Sequence, residues 1–425
     1  MEVYDKIADL ALLWRRAGEI FPRFADVACN WEEAFYQFLP RLMRADDRQT
    51  HLLFAEFLNL LGDGHTDYQF PRAFLREYGF APFSLGFCAD AYFLNGVSPE
   101  YGAFLGAAVE TLDGRPFPEI LNEAAKYSYH VGAFLPEYRL NALLPLLLLR
   151  GQTHEMITSK GSFSFRLLPE RPELLLARKG RAFEIRQLGN GILYVNLPDF
   201  LHADTAAKVR AALDETTPDG LILDIRDNIG GMTLFGARVA ELLISGAFSG
   251  CRKQTRIMEG VDLAGASQIL LESPEEQARE IAAGLYTRAQ MEDARKRMAG
   301  TYTRSYLDHF GKEGQQALFS GPCAVLTSRR TVSAAEDFLA MLRSNHRAAV
   351  IGAPTCGTTG TPMLLKLRCG GSARICSVGY QMLDGTAFLG LGIRPDIPIE
   401  PTPEDILTGK DPVLDAAVSQ LAGNS

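Results

Sequence analysis

What the chain lacks narrows its chemistry first. Its seven cysteines include no Cys-x-x-Cys pair, and Cys369 and Cys376 stand seven residues apart. That spacing excludes the common zinc-binding frameworks, so no metal or other cofactor is expected, and the cysteines read as reduced, mostly buried and outside the chemistry. Positive charge is also short: 43 Lys and Arg against 51 Asp and Glu give a net charge of -8 and a pI near 5.5. There is no basic surface for nucleic acid or anionic lipid. No apolar run is long enough to cross a membrane, since the longest, residues 143–149, is short and contains Pro145. The opening Met1-Glu2-Val3-Tyr4-Asp5-Lys6 lacks the basic start and apolar core of a signal peptide. A cytoplasmic protein is the expectation, or a secreted one if a leader has been removed. Internal repeats and low-complexity tracts are absent as well.

What is present reads as an ordinary globular chain of 425 residues, 47% hydrophobic and 22% charged, long enough for two or three units. Over residues 1–70 the apolar positions recur at helical spacing (Ile7, Leu10, Trp14; Trp31, Phe35, Phe38, Leu42; Phe54, Phe57, Leu61), predicting about three helices. They stop at Leu61-Gly62-Asp63-Gly64-His65-Thr66, where two glycines end the helix and are expected to expose His65 on a loop. Residues 71–185 alternate short apolar runs with turns and predict a small α+β module, in which residues 107–116 (AAVETLDGRP) form a strand entering an Asp-Gly turn.

From residue 186 to 425 the pattern becomes α/β. Strands are predicted at 191–197, 220–225, 323–327 and 348–351, with helices at 203–213 and 234–244 between them, which indicates a parallel or mixed sheet covered on both faces. Further strands are expected at 363–367 and 373–378 and a last helix near 413–421. A Glu/Arg-rich stretch at about 249–319, helical around 274–298, reads as an insertion, lid or solvated spacer.

The most informative stretch is the strand Cys323-Ala324-Val325-Leu326-Thr327 followed by Thr331-Val332-Ser333-Ala334-Ala335-Glu336. It places Ser333 at a helix N-terminus, among unpaired N–H groups and the positive end of the helix dipole, where an oxyanion would be stabilised. Taken alone, an N-cap is the commoner role for such a serine. The second stretch is Asp224-Ile225-Arg226-Asp227-Asn228-Ile229-Gly230-Gly231, a buried strand running into two glycines that let a ligand approach the backbone. Asp224 and Arg226 point the same way from it, and a structural ion pair or a solvated strand end is at least as good a reading of them as a direct catalytic role.

Together these stretches resemble the serine peptidases that include the tail-specific (C-terminal processing) proteases, the tricorn core and the interphotoreceptor retinoid-binding protein modules. Val350-Ile351-Gly352-Ala353-Pro354-Thr355-Cys356-Gly357 and Gly392-Ile393-Arg394-Pro395-Asp396-Ile397 extend the resemblance, and Asp63-Gly64-His65-Thr66 adds to it more weakly. The resemblance implies a crotonase/Clp-like α/β core and a peptide or unfolded protein as substrate. It implies Ser333 as nucleophile, the N–H groups of Gly231 and Ala334 as oxyanion hole, and Asp224, Arg226, Gly230 and Glu336 as structural support. Relatives that use a Ser/Lys dyad carry the lysine where this chain has Thr358, and the next lysine, Lys366, falls inside a predicted strand. Tricorn-like relatives use a histidine from the N-terminal region, which points to His65 as general base. Of the other histidines, His51 opens a helix, His346 follows the Ser333 helix, and His130, His154, His202 and His309 read as surface or loop residues.

Two departures accompany the resemblance. The glutamate expected to orient the histidine is replaced by Leu389, leaving Asp384, Asp63, Asp67 or a backbone carbonyl to serve. The 71–185 module stands where many relatives carry a PDZ domain, and only residues 107–116 resemble one, so peptide-tail binding by strand addition is an open reading. A homo-oligomer is compatible with the sequence. The competing functional reading is a weak or inactive family member that binds peptide or a small hydrophobe. A crotonase-type acyl-CoA enzyme is suggested only by the shared fold.

Overall fold

The computed structural model describes residues 1–148, 150–178, 180–257, 266–267, 270, 273–299 and 303–422. Residues 258–265, 268–269, 271–272 and 300–302 of the expected insertion, with Leu149 and Lys179 of the expected module, lie outside them. The chain divides into two compact units, one formed by Met1–Gln69, Arg252–Leu307 and Gly360–Tyr380, the other by Phe70–Cys251, Asp308–Thr359 and Gln381–Ser425.

The second unit is built on a six-stranded sheet. Its strands, in chain order, are β1 (Glu184–Gln187), β2 (Ile192–Asn196), β3 (Gly220–Asp224), β4 (Cys323–Thr327), β5 (Ala349–Gly352) and β6 (Ile397–Pro398), and they lie side by side in that same order. All neighbours are parallel except β1, which pairs antiparallel with β2. Strands β2, β3 and β4 are buried at every residue, as expected of apolar runs covered on both faces. Side-chain alternation assigns the faces. Ile192, Tyr194, Ile222, Ala324, Leu326 and Ile351 pack on Val413, Ala417 and Leu421 of the C-terminal helix Pro412–Ala422. The alternate residues therefore face the other way, where the crossover helices α1 (Thr205–Thr216), α2 (Thr233–Ala240) and α3 (Ala334–Ser344) return between parallel strands. Helix α3 is buried from Ala334 to Leu342 and sits close on α2: a Cβ at Gly236 would lie 3.3 Å from the Cβ of Phe338. The mixed α/β expectation is met.

The segment read as a separate small module folds within this second unit. It contains the hairpin Phe83–Cys88 and Ala91–Val97, a four-stranded antiparallel sheet that includes Val109–Leu112 and His154–Thr158, and helices Phe117–Ala124 and Glu137–Leu147. The Asp-Gly turn is present, with φ of 51° at Asp113 and 73° at Gly114, the left-handed pair that a tight hairpin requires. His154 differs from its expected loop position. It is buried on a strand, because the Asp113 carboxylate reaches its Nδ1 at 2.7 Å.

In the first unit, three helices, Val3–Ile20, Trp31–Arg44 and Asp47–Asn59, appear as the periodicity predicts. Asn30 caps the second by accepting from the N–H groups of Glu32 and Glu33, and Asp46 with Gln49 forms a capping box on the third. His51 lies inside that third helix rather than opening it, buried and hydrogen-bonded to the Tyr68 hydroxyl. Burial lowers its pKa to about 4. Strands Pro362–Lys366 and Ser372–Cys376 do form, but they belong here and not to the six-stranded sheet. The reason is long-range pairing: Ser372–Cys376 takes Asp67–Gln69 as its antiparallel neighbour, burying Ala373 and Ile375, and Asp9 accepts from the N–H groups of Arg368 and Cys369 at 2.9 Å each. Likewise Arg252–Leu307, the heart of the expected insertion, groups with the N-terminal helices. Its helices Pro274–Ala282 and Arg288–Met298 each begin with a capping box.

Candidate active site

The sharp turn between β4 and α3 is fixed from several sides. Ser328 Oγ donates to the Arg226 carbonyl, Thr331 Oγ1 donates to the Ile225 carbonyl at 2.9 Å, and the Val332 N–H donates to the Asn228 carbonyl at 3.0 Å. These bonds tie the turn to the end of β3. The Ser333 N–H then donates to the Thr358 carbonyl at 2.9 Å, with the Glu336 carboxylate 3.3 Å away. Held this way, Ser333 has φ 62° and ψ -126°, a conformation that an L-residue with a side chain rarely adopts. Such strain costs about 1–3 kcal/mol and persists only where the surroundings over-determine it. A strained serine on a strand-to-helix turn is how a nucleophile elbow presents its hydroxyl.

The glycines at the end of β3 come up against this turn. A Cβ on Gly230, whose φ is 98°, would stand 2.7 Å from the Ser333 Cβ and 3.1 Å from the Ala334 nitrogen, so only glycine fits. Asn228 shapes the bend, accepting from the Gly230 N–H at 2.9 Å and donating to the Leu197 carbonyl at 3.0 Å. Phe200 takes up the flanking groups, through Phe200 N–H to the Gly230 carbonyl at 2.9 Å and Met232 N–H to the Phe200 carbonyl at 2.8 Å. The N–H groups of Gly231 and Ala334 have no hydrogen-bond acceptor among the described residues. Two unengaged N–H groups beside a serine are the raw material of an oxyanion hole.

Two buried acids support the turn. Asp224, with no exposed surface, accepts from the Arg226 N–H at 3.0 Å, the Arg226 Nε at 2.9 Å and the Tyr194 hydroxyl at 2.7 Å, and also pairs with Arg181. Arg226 continues to Asp411 at 2.6 and 2.8 Å. Burial alone would raise both carboxyls, but the guanidinium groups win: Asp224 is lowered, and Asp411 is lowered to about 2. Glu336, also fully buried, accepts from the N–H groups of Gly357 and Thr358 at 2.8 Å each and from the Thr355 hydroxyl. No cation answers it among these partners, and burial pushes its carboxyl up to about 8 against their pull. The neighbouring Asp337 receives the hydroxyls of Thr233 at 2.6 Å and Thr359 at 2.8 Å.

The structure therefore brings Ser333, Gly230, Gly231, Ala334, Glu336, Asp224 and Arg226 together in one unit. Sequence reasoning missed Asp411, which is 185 positions from Arg226. It also missed the part played by Thr355 and Gly357, although the glycine was a visible signal: a Cβ there would meet the Gly392 nitrogen at 2.6 Å. Asp384 is exposed and its carboxylate accepts from the Thr386 N–H at 2.8 Å, which shapes its own turn.

His65 belongs to the other unit. It is 7% exposed, not displayed on an open loop, because Asp63 pulls the turn inward by accepting from the His65 N–H at 2.9 Å and the Thr66 hydroxyl at 3.1 Å. The Asp67 carboxylate is held by Arg374 at 2.7 and 2.8 Å. Lys366 is exposed at the end of its strand.

Residues 191–399, which hold the Gly230-Gly231 bend and the Ser333 turn, match the model of peptidase family S41. They form a peptidase family S41 domain. Among curated relatives, the carboxy-terminal-processing protease of Bartonella bacilliformis is 33% identical over 84 residues, 20% of this chain and 19% of that protein. The chloroplastic C-terminal processing peptidase of Tetradesmus obliquus is 23% identical over 219 residues, 51% of this chain and 36% of that protein. The matched stretches thus span about a third or less of those relatives. Among solved structures, mature CPAF complexed with lactacystin superposes with a TM-score of 0.68 at 14% identity, covering 100% of this chain and 99% of that one. At that identity the likeness establishes the fold alone.

Proposed function

We propose that the chain is a serine peptidase in which Ser333 is the nucleophile, Gly231 and Ala334 supply the oxyanion hole, and His65 is the general base. The observation that carries the proposal is the strained backbone of Ser333, flanked by two N–H groups without acceptors. Ser333 Oγ attacks the carbonyl carbon of a peptide bond and gives its proton to His65, while the carbonyl oxygen takes the negative charge and the two N–H groups bind it. Collapse of that intermediate breaks the C–N bond. The proton passes from His65 to the departing amine, and a water, deprotonated in turn by His65, hydrolyses the acyl-enzyme.

Support for His65 comes from the sequence: the Asp63-Gly64-His65-Thr66 motif, and Thr358 where a Ser/Lys member has its lysine. Asp384 is left out, since an exposed carboxylate committed to its own turn is poorly placed to orient an imidazole. The apolar residues Leu201, Ile229 and Met232, 61%, 65% and 56% exposed, flank the Gly230-Gly231 bend. They favour an extended peptide with apolar side chains near the cleaved bond.

A fluorophosphonate probe tests the reading. It labels the wild-type chain on Ser333 and leaves Ser333→Ala unlabelled, while His65→Ala slows labelling on the order of 10³-fold or more and Lys366→Ala does not. Folded wild type that takes no label would instead favour a binding scaffold, the reading to which Leu389 lends weight.

A further inference from the structure

The first unit contains a cavity of about 890 Å³ that the peptidase reading does not use. Its wall is aromatic, with Trp14 and Trp31 from the first two helices and Phe24 between them, and Cys29 and Met298 complete the apolar lining. Arg256 lies over the Phe24 ring, 5.1 Å from its centroid. The volume falls in the range of small-molecule sites, which combine apolar walls with a few convergent polar groups.

Those polar groups are unanswered. Nε and Nη1 of Arg256 and Nε1 of Trp14 are buried atoms with no hydrogen-bond partner among the described residues. The other arginines of this wall have carboxylates: Arg15 is bonded to Glu19 at 2.7 Å and Arg297 to Asp293 at 2.7 Å. The Trp31 indole also has a partner, the Trp14 carbonyl at 3.0 Å. Donor atoms cut off from water without a partner are unfavourable, and burial lowers the Arg256 pKa. Of the wall's carboxylates, Glu19 is bonded to Arg15 and Arg16 and Glu32 is exposed to solvent. The unanswered buried atoms are all donors, and one side chain is cationic. Their complement is an anion with lone pairs in a plane, which a carboxylate supplies. The three rings complement a flat aromatic body.

We propose that this cavity binds a monocarboxylate on an aromatic body, its carboxylate received by Arg256 and by the Trp14 indole N–H. The site is independent of Ser333 chemistry. The same ligand chemistry is offered by a free aromatic acid and by the C-terminus of a peptide ending in an aromatic residue.

The chain's two tryptophans both line the cavity, so their emission reports occupancy directly. The whole chain, carrying Ser333→Ala so that no probe is hydrolysed, is titrated with 4-phenylbutyrate and with 4-phenylbutan-1-ol, and with acetyl-Ala-Ala-Phe as the free acid and as the amide. Saturable binding is expected, with each acid at least about tenfold tighter than its neutral counterpart. Arg256→Gln is expected to weaken the acids by roughly tenfold to a hundredfold while the alcohol binds as before, which also shows that the cavity is intact. Should that variant fail to fold, Trp14→Phe removes the indole donor while keeping an aromatic ring in the wall, and a severalfold larger loss for the acids than for their neutral counterparts is expected. Tighter binding of phenylbutyrate identifies a free acid as the source, and tighter binding of the tripeptide acid identifies a peptide C-terminus. Equal affinity for acids and neutral counterparts, undiminished acid binding by folded Arg256→Gln or by Trp14→Phe, or no saturable change overturns the proposal.

Discussion

Asp224 and Glu336 are both fully buried, and both hold a segment that shapes the Ser333 turn. They are stabilised by opposite means. Asp224 sits in a cluster with Arg226, Arg181 and Asp411, where formal charges compensate one another. Among the described residues Glu336 is met by dipoles alone, a hydroxyl and the backbone N–H groups of Gly357, Thr358 and Ser333. The difference shows in their ionisation: Asp224 is lowered, whereas Glu336 is pushed up to about 8. Compensation by charge makes a support that is insensitive to pH above the ordinary carboxylate range and is costly to break. Compensation by dipoles makes one that tolerates the loss of any one donor and responds to pH.

The largest effect should come from breaking the charged cluster. Arg226→Met leaves Asp224 and Asp411 with Arg181 alone, and a loss of about 3–5 kcal/mol in urea unfolding is expected; a loss below about 1 kcal/mol would show that the cluster is not the rigid support described. Glu336→Gln faces N–H donors with an amide NH₂, so it should cost about 1–3 kcal/mol and slow fluorophosphonate labelling of Ser333. The pH dependence of stability sharpens the contrast. Because the folded value for Glu336 lies above the ordinary 4.5, the native chain keeps a proton that the unfolded chain has released between those values. Its contribution is complete below about 4.5, declines as pH rises through about 8, and is level beyond. Unfolding midpoints of wild type and Glu336→Gln, compared between pH 5 and 9, should converge as pH rises; parallel curves would count against the raised value. The smallest effect calibrates the rest. Arg115→Gln breaks an exposed pair with Glu119 and Glu123 and should change stability by no more than about 0.5 kcal/mol.

Much of this was legible in the sequence, and the reasons are local. Strands β2, β3 and β4 announce themselves because an apolar run between turns has few other fates, and Ser333 and Glu336 carry the spacing of a helix start. Two predicted strands after residue 360 form as strands, but their sheet was not legible, because strand partners are chosen at long range: Ser372 pairs with Gln69. Nothing near Asp411 signals that it closes the Arg226 cluster. The burial of His65 was hidden for a related reason, since glycines predict an open turn and the Asp63 bonds that draw it inward depend on the folded backbone.

The backbone of Ser333 has a consequence for inheritance. Glycine adopts a φ of 62° without strain, so Ser333→Gly should remove the proposed nucleophile and, by relieving about 1 kcal/mol or more, leave a firmer fold. At this position selection for durability and selection for chemistry pull apart. A lineage released from catalysis would drift downhill to glycine, whereas one that keeps serine here is resisting a standing thermodynamic invitation to abandon the reaction.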